Sequence, residues 1–169
     1  MKKKLISDII SIEELNELLS YNPENGLFTH KTNTTRKRKG EVAGFNNNGY
    51  IRLTIKGQVV SAHRLAWFFI NSEDPQELVD HKNGIKTDNR ITNLRIATYS
   101  QNSMNSKISS LNSTGYKGVR WSESKKRWIA QVKLNGKKTQ LGSFKNIKDA
   151  SNAYCEFAKK HHGEYYRSK

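Results

Sequence analysis

Apolar positions near the start of the chain recur at helical spacing: Ile12, Leu15, Leu18 and Leu19 follow Ser11, which forms a capping-box pattern with Glu14 three residues on. A short helix over residues 11–20 is therefore predicted. Asn22-Pro23-Glu24-Asn25-Gly26 turns the chain, Leu27 to His30 can form a strand, and KTNTTRKRKG after it is a polar, basic stretch read as a loop near phosphates. Further on, Tyr50, Arg52 and Thr54 alternate with Ile51, Leu53 and Ile55, and Lys56-Gly57 turns into a second strand. That pattern predicts a β-hairpin. From Ala62 to Ile70 the apolar residues Leu65, Ala66, Phe69 and Ile70 return to helical spacing, up to the loop containing Pro75.

The stretch 103–115, SMNSKISSLNSTG, has few apolar side chains and the Ser- and Asn-rich composition of a linker. The expected organisation is a first domain over 1–105, a linker over 106–114 and a second domain over 115–169. Strands are expected at 116–121, 127–134 and 138–144, the last two joined at Asn135-Gly136, a strong hairpin signal. A helix from about Asn146 then places Ile147, Ala150, Tyr154, Phe157 and Ala158 on one stripe, which would cover one face of the sheet. The fold class is α+β.

Charge narrows the partners. Lys and Arg number 30 against 15 Asp and Glu, a formal net charge of +15. Of that surplus +10 lies in residues 110–169, which favours a polyanion such as nucleic acid. The single cysteine, Cys155, rules out an internal disulfide or a cysteine-rich zinc cluster and reads as a small buried hydrophobe. The start MKKKLISDII is broken by Ser7 and Asp8, so no signal peptide is expected, nor a membrane span. A soluble, intracellular protein is the expectation, with a monomer favoured.

The run LVDHKNGIKTDNRITNLRIATYSQN gathers Asp80, His81, Asn83, Asp88, Asn89, Asn93 and Asn102 within 23 residues. Val79-Asp80-His81 reads as a strand end, Lys82-Asn83-Gly84 as a turn and Thr98 as the cap of a helix carrying Asn102. Hydrolysis of a phosphodiester needs an activated water, and a histidine with a pKa of about 6.5 can take its proton. His81 is the candidate base, while Asp80 and Asn102 offer oxygens to a hard divalent cation. Asn83-Gly84 and Asp88-Asn89 read as turn formers, and His63 as a structural histidine.

These residues resemble the HNH endonuclease family in its phage and intron-encoded branch, through Asp80-His81-Lys82-Asn83-Gly84, Asp88-Asn89-Arg90-Ile91-Thr92-Asn93-Leu94-Arg95 and Gln101-Asn102. The stretch AHRLAW and the Gly49-Tyr50 hairpin extend the likeness to roughly residues 12–105. The resemblance implies a ββα-metal site in which His81 is the general base, Asn93 orients it, and Asp80 and Asn102 hold one Mg²⁺ or Mn²⁺. Asn at the last position, where some relatives carry His, points to a hard cation over zinc. A homing or phage-encoded role, in the host cytoplasm, follows from the same likeness.

Gly115-Tyr116-Lys117-Gly118-Val119-Arg120, Trp128-Ile129-Ala130-Gln131-Val132 and Leu141-Gly142-Ser143-Phe144 resemble the AP2 DNA-binding domain. By that likeness Lys117, Arg120, Arg127, Lys133 and Lys138 lie where the sheet meets duplex DNA, and Trp128, Leu141 and Phe144 are core. Gln140 departs from plant relatives, which often carry a base-contacting Trp there. The expectation is an α+β chain, a ββα-metal nuclease core followed by a three-stranded antiparallel sheet plus helix, that cuts double-stranded DNA with one divalent ion and no small-molecule cofactor. Its rivals are a non-catalytic DNA-binding regulator and a module for structured RNA.

Overall fold

The computed structural model describes residues 5–34, 37–109, 111–134 and 136–166, which fold into two compact units, Met1–Ala97 and Thr98–Lys169. In the first, α1 (Ile12–Leu18) opens on the expected capping box, with Ser11 Oγ accepting from the Glu14 amide and the Glu14 carboxylate from the Ser11 amide, both at 3.2 Å. Leu19 leaves the helix, with φ −131° and ψ 151°, and begins β1 (Leu19–Asn22). It pairs with His30 of β2 (Leu27–His30) and is buried, so sheet pairing overrides helical spacing at a position that satisfies both. β3 (Val42–Ala43) completes an antiparallel sheet in the order β1-β2-β3. Of the basic stretch between β2 and β3, Thr35 and Arg36 lie outside the described residues.

β4 (Phe45–Asn47), β5 (Tyr50–Ile55) and β6 (Gln58–Ser61) form a second antiparallel sheet. Lys56 and Gly57 both have positive φ, 45° and 75°, the backbone twist that suits a two-residue hairpin. Alternation along β5 sends Leu53 and Ile55 into the core and leaves Tyr50, Arg52 and Thr54 on the other face. α2 (Ala62–Asn71) follows at once and buries Ala62, Leu65, Ala66 and Phe68. Ile70, expected on the buried stripe, is 47% exposed in the last turn, just before the left-handed cap at Ser72. Tyr21, Phe28 and Phe69 pack ring against ring, with Phe28 centroids 4.7 Å from Tyr21 and 6.1 Å from Phe69. A fully buried side chain of this size contributes about 1.5–3 kcal/mol. A two-stranded ribbon, β7 (Leu78–His81) with β8 (Leu94–Ala97), ends this unit.

In the second unit α3 (Tyr99–Asn105) is followed by β9 (Val119–Ser122), β10 (Arg127–Leu134) and β11 (Lys137–Phe144), antiparallel in the order β11-β10-β9, and by α4 (Ile147–His162). Since the units divide between Ala97 and Thr98, α3 and the Ser- and Asn-rich stretch after it belong with this sheet. Asn135 lies outside the described residues, and Gly136 has φ 81°. The helix covers one face as its stripe predicts: Ala150, Tyr154 and Ala158 are buried against Val119, Ala130 and Val132, with Trp128, Leu141 and Phe144 packed beside them. The approach is closest at Gly118 (φ 70°), where a Cβ would sit 2.2 Å from the Tyr154 ring. Among the described residues no helix is long and apolar enough to cross a membrane.

Candidate functional site

The β7–β8 ribbon sets the site. Its antiparallel register places Asp80 opposite Arg95 and His81 opposite Leu94, and the intervening loop carries most of the polar residues of the motif. That polarity is consumed in holding the loop. Asn93 accepts the Asn83 amide on Oδ1 at 3.0 Å, donates from Nδ2 to the Asp88 carbonyl at 2.7 Å, and through its own carbonyl accepts the Lys82 amide at 2.8 Å. Asn83 in turn donates from Nδ2 to the Asp88 carboxylate at 2.7 Å, and Gly84 donates its amide to the His81 carbonyl at 2.8 Å. Arg90 clamps Asp88 at 2.7 Å through Nε and 2.6 Å through Nη2. The guanidinium beside Asp88 holds its carboxyl down to about 2, so it stays ionised across the neutral range.

The first hairpin braces this loop from outside. Tyr21 donates its hydroxyl to the Asn89 carbonyl at 2.7 Å, and Ile91 donates its amide to the Pro23 carbonyl at 3.3 Å. Gly26 (φ 74°) fits against it so closely that a Cβ would lie 2.5 Å from the Arg90 nitrogen. Burial raises the Tyr21 phenol to about 12, keeping it protonated and able to donate.

Asp80 and His81 are both buried, 6% and 5% exposed. Asp80 Oδ2 accepts two bonds from Arg95, 3.0 Å from Nε and 2.9 Å from Nη2, and the pair is sealed from solvent. This fixes the carboxylate's orientation. His81 Nε2 lies 3.1 Å from Asn89 Oδ1; the amide oxygen can only accept, so Nε2 carries the proton and Nδ1 the lone pair of the neutral ring. Burial lowers the His81 pKa below the usual value, against the upward pull of the Asn89 bond, Asp80 and Asp88, while Lys86 adds to the lowering. A neutral imidazole at neutral pH is the form a proton acceptor needs.

Aromatic rings wall this histidine. The His63 centroid is 5.0 Å away, edge to face, and that of Tyr50 6.1 Å away, with Tyr50 and His63 5.5 Å apart. Lys86 Nζ stands 4.5 Å from the Tyr50 centroid. The sequence pattern shows no contact of Arg95, Asn89 or Tyr50 with the Asp80-His81 pair. Arg95 could have been found by aligning His81 with Leu94, which puts it across from Asp80; Asn89 and Tyr50 leave no such trace, because loop closure and hairpin placement bring them in.

Asn102 is exposed on α3, whose Thr98 cap is closed by Gln101 in a second capping box. Asp80 and Asn102 offer oxygen donors only, which fits a hard cation. Among the described residues no group of three or more His, Cys, Asp or Glu gathers to hold a metal.

On the C-terminal sheet the five candidate cations divide. Lys117 is engaged internally, donating to the Met104 and Ser106 carbonyls at 2.7 Å each, beyond the end of α3. Arg120, Lys133 and Lys138 are exposed and Arg127 is half-buried. Lys133 faces Lys138 across β10 and β11, and Arg120 Nε reaches Gln131 Oε1 at 3.3 Å. By alternation these four lie on the face opposite Ala130 and Val132, hence away from α4.

Comparison with known proteins bears on the ribbon and the helices on either side of it. The profile of the HNH endonuclease family matches residues 60–104, which include α2 and the whole β7–β8 ribbon. Protein 3.8 of Escherichia phage T7 is 32% identical over 82 residues, covering 48% of this chain and 68% of that protein. No solved structure matches the chain.

Proposed function

The chain belongs to the family of phage protein 3.8 and contains an HNH endonuclease domain, and on that premise we propose that it is a metal-dependent endonuclease that hydrolyses duplex DNA. The observation that carries this reading is the buried, neutral His81, held through Nε2 by Asn89 and adjoining Asp80 on a strand end. In it, His81 Nδ1 takes a proton from the attacking water. Asn93 acts through the loop, fixing the backbone that presents His81, and Arg95 orients Asp80. Asp80 and Asn102 are the residues assigned to one Mg²⁺ or Mn²⁺ ion. When bound, that ion supplies positive charge for the phosphate and the departing oxygen.

The C-terminal sheet is, in the same reading, an AP2-like DNA reader. Arg120, Arg127, Lys133 and Lys138 are its phosphate and base contacts, while Lys117 supports the segment after α3. An arginine on such a face can take guanine bidentately, whereas lysines mainly find phosphate. In this reading the functional division is a nuclease domain over 1–105, which takes in α3 from the second compact unit, a short linker and a DNA-binding domain over 115–169.

The test is nicking of a supercoiled plasmid library by wild type and His81→Ala with Mg²⁺, Mn²⁺ or EDTA. Metal-dependent nicking by wild type alone is the expected result. A second reading, a DNA-binding protein without catalysis, draws on the Arg95 bonds that already occupy Asp80 Oδ2. It would be favoured if wild type retards DNA in a gel yet leaves the library intact with each metal.

A further inference from the structure

Arg52 lies on β5 two residues from Tyr50 and so on the same face of the strand. Its cross-strand partner is Ser61, two residues before His63. Tyr50 and His63 are the two rings that stand against His81, at 6.1 and 5.0 Å. Arg52 is therefore anchored on the wall of the candidate site. The residue is half-buried, its Nε is buried, and that nitrogen has no hydrogen-bond partner among the described residues.

A guanidinium in this position is unusual. A buried donor without an acceptor is costly, and buried cations are normally paired. Both carboxylates of the β7–β8 ribbon and its loop are engaged elsewhere, Asp80 with Arg95 and Asp88 with Arg90. Lys86, over the Tyr50 ring, adds a second positive charge to the same side. This wall has cations in excess and a planar fork whose Nε and Nη donors match two oxygens of one phosphate.

We propose that Arg52 is a phosphate ligand at the candidate site, taking non-bridging oxygens of a DNA phosphate on the Tyr50 and His63 side of His81. The identity of the anion as DNA phosphate rests on the endonuclease reading; the anion site itself rests on Arg52 and its surroundings. Its role would be to seat the strand, with the phosphate completing the hydrogen bonding of the guanidinium.

The experiment uses the full chain, labelled with ¹⁵N, without metal. The arginine Nε–H spectrum is followed as inorganic phosphate replaces chloride at constant ionic strength, with the Arg52 signal identified by its loss in Arg52→Lys. In parallel, binding of mixed-sequence duplex DNA in EDTA is measured against salt for wild type, Arg52→Gln and Arg52→Lys, with melting curves confirming that each variant folds. A saturable shift of the Arg52 signal, and a slope of log K on log salt lower by about one in Arg52→Gln but kept in Arg52→Lys, support the proposal. An Arg52 signal indifferent to phosphate, or an unchanged slope in Arg52→Gln, overturns it. Plasmid left intact by wild type with Mg²⁺ counts against the endonuclease reading alone, because neither measurement depends on cleavage.

Discussion

Replacing Arg95 by Met tests the buried pair behind the candidate site. Its side chain and that of Asp80 are 8% and 7% exposed, and Asp80 Oδ2 accepts both Arg95 bonds. Removing the guanidinium leaves a carboxylate out of reach of water and without its counter-charge, which costs about 3–5 kcal/mol. In a unit of 97 residues each kcal/mol corresponds to about 4–8 °C, so its melting temperature should fall by at least about 12 °C. Removing both charges, Asp80→Asn with Arg95→Met, should recover most of the loss, because an apolar or neutral replacement of a whole buried pair is close to neutral. Hydrogen exchange in peptides spanning 78–97 across a temperature series isolates this unit from the other. A single variant that melts within about 1 kcal/mol of wild type, the range of exposed pairs, would refute the reasoning, as would a double variant whose loss equals the sum of the two singles.

Four further outcomes follow from the geometry and electrostatics. Because burial lowers the His81 pKa, the base form persists below pH 6.5 and the acid limb of kcat/KM should lie under that value; Asn89→Ala, which removes an upward influence, should move the limb lower still while reducing the plateau. The same shift gives stability that is present above the unfolded value and lost as pH falls below it, so urea titrations of wild type should weaken on acidification and those of His81→Ala less so. Asn93→Ala removes two bonds to loop backbone, a loss of about 1–3 kcal/mol locally, and should lower kcat with little change in KM in steady-state nicking. Gly118→Ala combines φ 70° with a contact at 2.2 Å and should destabilise the C-terminal unit by at least about 2 kcal/mol, read by Trp128 fluorescence in urea, with exchange in residues 78–97 unchanged.

Features written in short-range chemistry were legible beforehand. Ser11 with Glu14, Lys56-Gly57, Thr98 and Asn146 each announce a cap or turn through their own side chains or backbone freedom, and the structure has an element boundary at each. The stripe of α4 was readable because one period fits it. Leu19 was not, since a lone apolar residue satisfies helix and strand alike and only pairing with His30 decides. At the site, His81 and Asp80 stand out by residue type, but their immediate partners do not. Asn89 reads as a turn former, and nothing in its type or spacing shows that its amide meets the histidine; nor does the position of Lys117 show that its ammonium meets two carbonyls.

The clasp between the first hairpin and the β7–β8 loop bears on how such a domain can be inherited or grafted. The segment that the HNH profile matches, residues 60–104, does not contain Tyr21, Pro23 or Gly26, yet those residues grip Asn89, Ile91 and Arg90. The motif is therefore not a self-sufficient cassette. A recombination joint placed just upstream of residue 60 would transfer every signature residue and leave behind the scaffold that shapes their loop, so viable chimaeras of this domain should carry the opening hairpin with them.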